Sequence, residues 1–495
     1  MCGGRVLVKK KVYLAVDLGA DSGRVMAGIH DGQKIVLEEM ARFPTGGMQF
    51  PDGWHWDLAR IYADIRKGIA KAVAEHGDAV VSVSVDTWGV DYGLLDAHGR
   101  LLGLPYMYRD ARTDGMIDAV SALVAPADLY ARTGIQPMFF NTVYQLFAET
   151  RQSPGAMAAA ARIAFVPDLL TYWLGGEARV ERTIASTSGL LKAGEAEWDL
   201  ELADKLGIPR ALLAPISEPC TIAGELRGEG AASKIKVVLC GSHDTSSAVA
   251  GVPATAKNPL FLSSGTWSLL GRELDSPLVS AATGEAKFSN EQGLFGTTRF
   301  LKNVAGMWLL QECKRNWERD GETLEYESIV NKAAGTTTDS FVDPDAPEFS
   351  RPCDMPAALS AWLEKTGQAV PSGRAGLTRV IFESLALKYR VLLRRMKDWM
   401  PDFPDTLHVV GGGSRNALLN QMTADASGLR VLAGPSEATA LGNVVAQMIA
   451  CGDLGSLGEG RELVRASFEI GEFTPRDTAS WDAKAARFEK LCSDQ

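Results

Sequence analysis

The chain has 495 residues, 46% of them hydrophobic, with 51 Lys and Arg against 61 Asp and Glu and a net charge of -10. That length supplies two full hydrophobic cores, and the two signs of charge are mixed along it with no basic tract beyond Lys9, Lys10 and Lys11, so no nucleic-acid partner is expected. The cysteines at 2, 220, 240, 313, 353, 451 and 492 form no CxxC and the six histidines no HExxH, which argues against a disulfide framework or a zinc site.

No run of about 18 apolar residues is long enough to span a bilayer, and the apolar run 12–16 ends in Asp17, too short for a signal segment. A cytoplasmic protein with no membrane partner is expected. In chain order, 12–16 reads as a strand closed by Asp17, Leu18 and Gly19, and 24–29 as a second strand. Asp31 and Gly32 return the chain into a third. The first turn of this meander presents Asp17, Gly19, Ser22 and Gly23. Residues 58–74 carry apolar positions at helical spacing, and "AVVSVSVDTWGVDYGLLD" then reads as another buried strand. A further strand, 235–240, runs into "GSHDTSSAVAG".

The second half repeats the theme. "PLFLSSGTWSLLGREL", 259–274, is an apolar strand, a Ser/Gly/Thr turn and a strand; "LHVVGGGSRN" is a strand followed by a glycine-rich loop. The segment 318–371 is polar, rich in Pro and Asp and weakly periodic outside 357–364, which predicts a surface excursion. Residues 437–450 read as a helix capped by Ser436. One strand-turn-strand per half is what a duplicated α/β domain produces, with a boundary near Val252 and Pro253 giving domains 1–252 and 253–495. Chance recurrence of short hairpins is the alternative.

Backbone N–H groups in glycine-rich turns converge on anions without needing a side-chain charge. Three such turns follow apolar strands: "DLGADSGR", "SSGTWS" and "GGGSRN". The chain contains no GxxxxGK[ST] and no GxSxG, and Asn416 replaces the last glycine of a GxGxxG, so neither a P-loop, a dinucleotide fold nor an ordinary α/β-hydrolase is supported. Asp244, at a strand end among small residues, suits a carboxylate that takes a proton from an acceptor hydroxyl during phosphoryl transfer. The competing reading is an Asx-turn or helix N-cap. Asp86 and Asp91 in "DTWGVD" carry the same ambiguity, and Trp88 reads equally as core.

The phrases "VDLGADSGRVM", "DTWGVD", "GLPYMYRDARTDG", "RTGIQPMFFNTVYQL", "SHDTSSAV", "LSSGTWSLLG", "LKNVAGMWLLQ" and "VVGGGSRNALLNQMTADASGLRVLAGPSEATALGN" together resemble the FGGY carbohydrate kinases of the sugar kinase, Hsp70 and actin superfamily, almost end to end. The likeness is strongest to the branch that phosphorylates L-rhamnulose. It implies an α/β fold of two RNase H-like (actin-like ATPase) domains with an interdomain cleft. It also implies transfer of phosphate from ATP, with Mg2+, to the C1 hydroxyl of the sugar.

Position by position, the resemblance implies that Ala20, Asp21, Ser22, Gly23 and Arg24 meet the ATP phosphates, with Asp17 near Mg2+. Thr266 would face the phosphates from the other side, Gln311 would contact ATP, and Gly412 would line the adenine and ribose site. Gly89, His243, Asp244, Thr245 and Asn303 would contact the sugar, and Asp244 would be the general base. Asp21 departs from the hydroxyl residue usual in the phosphate turn. Met422 and Ala426 stand where some relatives carry a cysteine pair, so no disulfide is implied there. Alternatives are a sister kinase for L-fuculose or a ketopentose, a catalytically inactive sugar- and ATP-binding regulator, or an ATP-driven partner-binding protein, the last disfavoured by the run His243 to Thr245. A monomer or small homo-oligomer is expected.

Overall fold

A computed structural model describes residues 10–228, 234–319, 321–350 and 352–493; Cys2 and Lys9 lie outside them. The chain forms two units. The first takes the chain up to Asn258, Glu273–Leu301 and Ala438–Phe468; the second takes Pro259–Arg272, Lys302–Glu437 and Glu469 onward.

The first unit is built on strands β1 (Lys11–Leu18), β2 (Ser22–His30), β3 (Ile35–Pro44), β4 (Val80–Thr87), β5 (Thr221–Glu225) and β6 (Lys236–Leu239), ordered β5-β6-β4-β1-β2-β3. The meander β1-β2-β3 is antiparallel, whereas β4 runs parallel to β1 and β6 parallel to β4. Seven of the eight β1 residues are buried, as its near-continuous apolar run requires of a strand covered on both faces. Helix α1 (Leu58–His76) makes the crossover to β4 and buries Leu58, Ile61, Ile65, Ile69 and Ala72 along one stripe; Asp57 caps it by accepting from Arg60 N at 3.1 Å. Gly68 lets the helix approach the sheet, because a Cβ there would stand 2.6 Å from Val25 Cγ2. Two more helices belong to this unit, the short α2 (Asp244–Ala250) and α3 (Ala438–Ala450). Ala440, Leu441, Val444, Val445 and Met448 of α3 pack with Tyr13, Ala15, Met26 and Ile35 on the sheet.

The second unit repeats the plan. Strands β7 (Leu260–Ser264) and β8 (Ser268–Leu274) form an antiparallel hairpin; β9 (Thr406–Val410) is parallel to β7, β10 (Arg430–Ala433) parallel to β9, and β11 (Gly471–Phe473) antiparallel to β10. The 27-residue helix Gly373–Trp399 precedes β9, and its Tyr389 hydroxyl shares a 2.7 Å hydrogen bond with Ser268 Oγ. The relation of β7 and β8 to β9 matches that of β1 and β2 to β4.

Three expectations are corrected. The run 79–96 is not one strand: β4 ends at Thr87, Val90 has φ +70°, and Tyr92–Leu95 pairs instead with Arg162–Phe165. The segment 318–371 contains helices Tyr326–Ala334 and Met355–Lys365 and buries Phe341, Val342, Phe349, Leu359 and Trp362. Its apolar anchors are spaced singly among Pro and Asp, which weakens any periodic signal although each side chain packs. Helix α3 begins at Ala438, so Ser436 stands two residues ahead of it, where its hydroxyl accepts from the Arg415 guanidinium at 2.8 Å.

Candidate active site

Parallel strands β1, β4 and β6 are neighbours, so their carboxyl ends share one edge, the usual ligand edge of such a sheet. Asp17 and Asp86 are register partners across β1 and β4. Thr87 bridges to His243, with Thr87 N donating to Ser242 O at 2.9 Å. Residues 17–24, 86–89 and 243–245, separated by up to 228 positions in sequence, are therefore gathered in the first unit.

The β1-β2 turn is fixed from outside. Gly19 N donates to Ser22 O at 3.0 Å, and Thr45 clamps both sides, its Oγ1 donating to Gly19 O at 2.6 Å and its N to Asp21 O at 3.3 Å. Asp21 and Ser22 are exposed, Ala20 and Arg24 half-buried. Gly23 is buried and answers to packing, since a Cβ there would stand 2.6 Å from Leu18 Cδ2 and from Phe43 Cε2. Arg24 Nη2 donates to Asp17 Oδ2 at 2.6 Å, so the cation expected at the phosphates and the carboxylate expected at the metal meet each other. Asp86 is fully buried. Its Oδ2 accepts from Asn443 Nδ2 at 2.6 Å, while among the described residues Oδ1 has no hydrogen-bond partner. Burial and then the nearby Asp17 raise its pKa well above the carboxylate range, against the Asn443 bond. Gln447 steadies Asn443 at 2.7 Å and accepts from Ser82 Oγ at 2.6 Å.

Asp244 is the first residue of α2, after His243 at the cap position. Among the described residues no backbone N–H donates to its carboxylate, so it is neither an N-cap nor an Asx-turn. Instead Oδ1 takes the Thr245 hydroxyl at 3.0 Å and lies 3.3 Å from His243 Nε2. The Asp244 side chain is 34% exposed beside a His243 side chain that is 9% exposed. On the other side of the imidazole, Arg299 Nη1 and Nη2 each lie 3.2 Å from Nδ1, and Glu291 Oε2 lies 3.1 Å from Arg299 Nη1. Burial pushes the Glu291 carboxyl up, but the Arg299 guanidinium leads the opposing attraction, and the carboxyl sits below its ordinary value. Beneath the loop, Glu181 accepts from Thr183 N, Thr183 Oγ1, Ile184 N and Ser242 N at 2.6–3.2 Å. Sequence reasoning missed Glu181, Glu291 and Arg299, none of which sits in a recognisable motif.

Gly89 follows β4, and a Cβ on it would stand 3.2 Å from Thr187. Asp91 has the structural role that "DTWGVD" left open. Its Oδ2 accepts from Trp56 Nε1 at 2.7 Å, Trp88 Nε1 at 3.0 Å and Tyr108 N at 3.0 Å, and its Oδ1 from Gln145 at 2.9 Å. Trp88 is core, stacked on Trp56 with centroids 3.9 Å apart.

In the second unit, Thr266 occupies the tip of the β7-β8 turn. Trp308 N donates to Thr266 O at 3.0 Å, docking the start of helix Trp308–Trp317 there, with Gln311 one turn further in. The loop after β9 lies alongside because Ser263 and Val410 are register partners. Gly411, at φ +82°, and Gly413 press on Ser264, and a Cβ at Gly413 would collide with its hydroxyl; Gly412 is exposed with nothing within 4 Å of its Cβ position. Thr266, Gln311 and Gly412 are thus brought together, and Asn303 lies near the end of strand Thr298–Val304. Among the described residues no group of three His, Cys, Asp or Glu is placed to hold a metal ion, and no helix is long and apolar enough to cross a membrane.

The FGGY family of carbohydrate kinases matches through its N-terminal domain at residues 12–251 and its C-terminal domain at residues 260–451. The chain is 41% identical over 483 residues to a rhamnulokinase of Bacteroides thetaiotaomicron, covering 97% of this chain and 99% of that protein. It is 40% identical over 481 residues to a rhamnulokinase of Enterococcus faecalis, covering 95% and 96%. In fold it resembles the gluconate kinase of Lactobacillus acidophilus (TM-score 0.80, 15% identity, 98% of each chain) and Plasmodium falciparum glycerol kinase with ADP (TM-score 0.78, 15% identity, 98% of each chain). The chain belongs to the FGGY family of carbohydrate kinases, enzymes that phosphorylate a sugar with ATP as co-substrate.

Proposed function

We propose that the protein phosphorylates the C1 hydroxyl of L-rhamnulose, producing L-rhamnulose 1-phosphate and ADP in L-rhamnose catabolism. The observation that carries the reading is Asp244: a half-exposed carboxylate at the ligand edge of the sheet, free of any capping role, in a chain 41% identical to a rhamnulokinase over nearly its whole length. As the C1 oxygen forms its bond to the γ-phosphorus and the bond to the bridging oxygen of ADP breaks, Asp244 takes the hydroxyl proton. Gly89, His243, Thr245 and Asn303 hold the sugar. Residues 20–24, with Thr266, receive the phosphates, and Gln311 and Gly412 receive the rest of the nucleotide.

Asp17 would hold Mg2+, which neutralises charge on the phosphates. The site suits a cation because Asp17 and the buried Asp86 are register partners across β1 and β4, and among the described residues Asp86 Oδ1 has no hydrogen-bond partner. The enzyme works in the cytoplasm as a monomer or small homo-oligomer.

A coupled ADP-release assay with Mg-ATP tests the proposal across L-rhamnulose, L-fuculose, L-ribulose, D-xylulose, D-fructose and glycerol. L-rhamnulose is expected to give the highest kcat/KM, and Asp244→Asn to lower kcat by about 10²–10⁴-fold while ATP still binds. A higher kcat/KM for another sugar reassigns the substrate, and near-normal turnover by Asp244→Asn removes it as the base.

A further inference from the structure

We propose that Arg299 is a positioning residue for phosphoryl transfer: it fixes His243 as the Nε2–H tautomer, which donates to Oδ1 of Asp244 and leaves Oδ2 to receive the sugar proton. The inference rests on reading Asp244 as the base.

A neutral imidazole has one donor and one acceptor nitrogen, and the partner of one decides the other. A guanidinium has no acceptor atom, so a nitrogen faced by its N–H groups must offer a lone pair. Two N–H groups of Arg299 converge on Nδ1 of His243 at 3.2 Å each. The ring proton is thereby assigned to Nε2, which lies 3.3 Å from Asp244 Oδ1. Thr245 Oγ1 donates to the same oxygen at 3.0 Å. Both contacts fall on Oδ1, and among the described residues no hydrogen bond reaches Oδ2. A base oriented in this way keeps one oxygen anchored and the other open, which is the alignment a loose transition state depends on.

The competing tautomer is built into the same pocket. Glu291 Oε2 lies 3.2 Å from Nδ1 and would accept a proton placed there, turning Nε2 into a bare lone pair facing the Asp244 carboxylate. Arg299 prevents this by occupying Nδ1 and pairing with Glu291 at 3.1 Å. It is itself locked: completely buried, it also donates from Nε and Nη2 to Gln292 O at 3.1 and 3.0 Å. Glu291 supplies the countercharge that keeps a buried guanidinium tolerable. With Nδ1 facing Arg299 and Nε2 facing Asp244, both ring nitrogens are engaged, so the imidazole steadies the base and does not relay its proton.

The test is nitrogen NMR of the full-length protein with 15N-labelled histidine rings, the His243 signals being assigned by their loss in His243→Gln. Wild-type protein is expected to show a protonated Nε2 and a bare Nδ1 at His243; a protonated Nδ1 overturns the proposal without any variant having to fold. Arg299→Met is expected to move the proton to Nδ1 and lower kcat by about 10²-fold, with the KM for Mg-ATP unchanged. Arg299→Lys, which keeps an N–H donor, is expected to restore part of both. An Arg299→Met protein that folds with the wild-type tautomer and kcat also overturns the proposal. Asp244→Asn run alongside keeps the two readings apart: full turnover there defeats the base assignment whatever the His243 spectrum shows, whereas an Nδ1–H signal in wild type defeats the tautomer with the base intact.

Discussion

Glu181 shows how one buried carboxylate carries a local cost that its neighbours only partly offset. It is completely buried and accepts four hydrogen bonds, yet burial pushes its pKa up to about 7. Asp91, with four donors of its own, is pushed the same way, to about 6. For Glu181 the folded chain keeps its proton up to about pH 7 while the unfolded chain releases it near its ordinary value. Between those limits the native state binds more protons, so this contribution favours folding at the acid end and is lost as pH rises through 7. Glu181→Gln removes that loss. Its stability relative to wild type is expected to improve from pH 5 to about pH 7 and then level off, by an amount on the order of 3 kcal/mol at most; a difference independent of pH would show that Glu181 is ionised throughout. The residue is structural, since its bonds to Thr183 and Ser242 N support the loop that carries His243 and Asp244.

Between elements, α2 and α3 approach each other closely. A Cβ at Gly442 would collide with Ser247 O, and one at Gly251 with Ala438 O, so each helix needs a glycine facing the other's backbone. The contact bears on chemistry because α2 begins with Asp244 and α3 carries Asn443, the partner of Asp86. Gly442→Ala is expected to cost about 1–3 kcal/mol in thermal stability and to lower sugar phosphorylation with it, because backbone has to move. Gly412→Ala is the contrast. With nothing within 4 Å of its Cβ position, it is expected to stay within about 0.5 kcal/mol of wild type. Equal losses in both variants would show that the α2-α3 spacing is not what matters.

At the scale of the whole molecule, the chain leaves the first unit after Asn258 and returns to it twice, at Glu273–Leu301 and Ala438–Phe468. The second return supplies α3, whose Gln447 donates to Leu14 O at 3.0 Å and whose Val444 packs against Gly28. The first supplies Glu291 and Arg299. A fragment ending at residue 258 therefore lacks the cover of one sheet face and the pair that holds His243. Such a fragment is expected to show no cooperative unfolding transition by calorimetry where the full chain does; a sharp transition would mean that the first 258 residues fold alone.

What the sequence determined by itself is whatever is written locally. The hairpin turns, the α1 stripe, the glycine-rich loops and the motif around Asp244 are contiguous, so period and residue type suffice to read them, and the duplicated α/β plan follows from their repetition. Tertiary structure decided what depends on distant partners. Whether Asp244 caps a helix or lies against His243 shows only in the folded chain, where Arg299 meets the same histidine, and Trp88 is core, stacked on Trp56 with Asp91 bonding both indoles. Outside 357–364 the segment 318–371 carries little pattern, yet it forms helix Tyr326–Ala334 and its isolated apolar anchors, such as Phe341 and Phe349, find a core. Burial and opposing charge are sums over neighbours that a linear sequence does not place, and that is why those features emerged only in the folded chain.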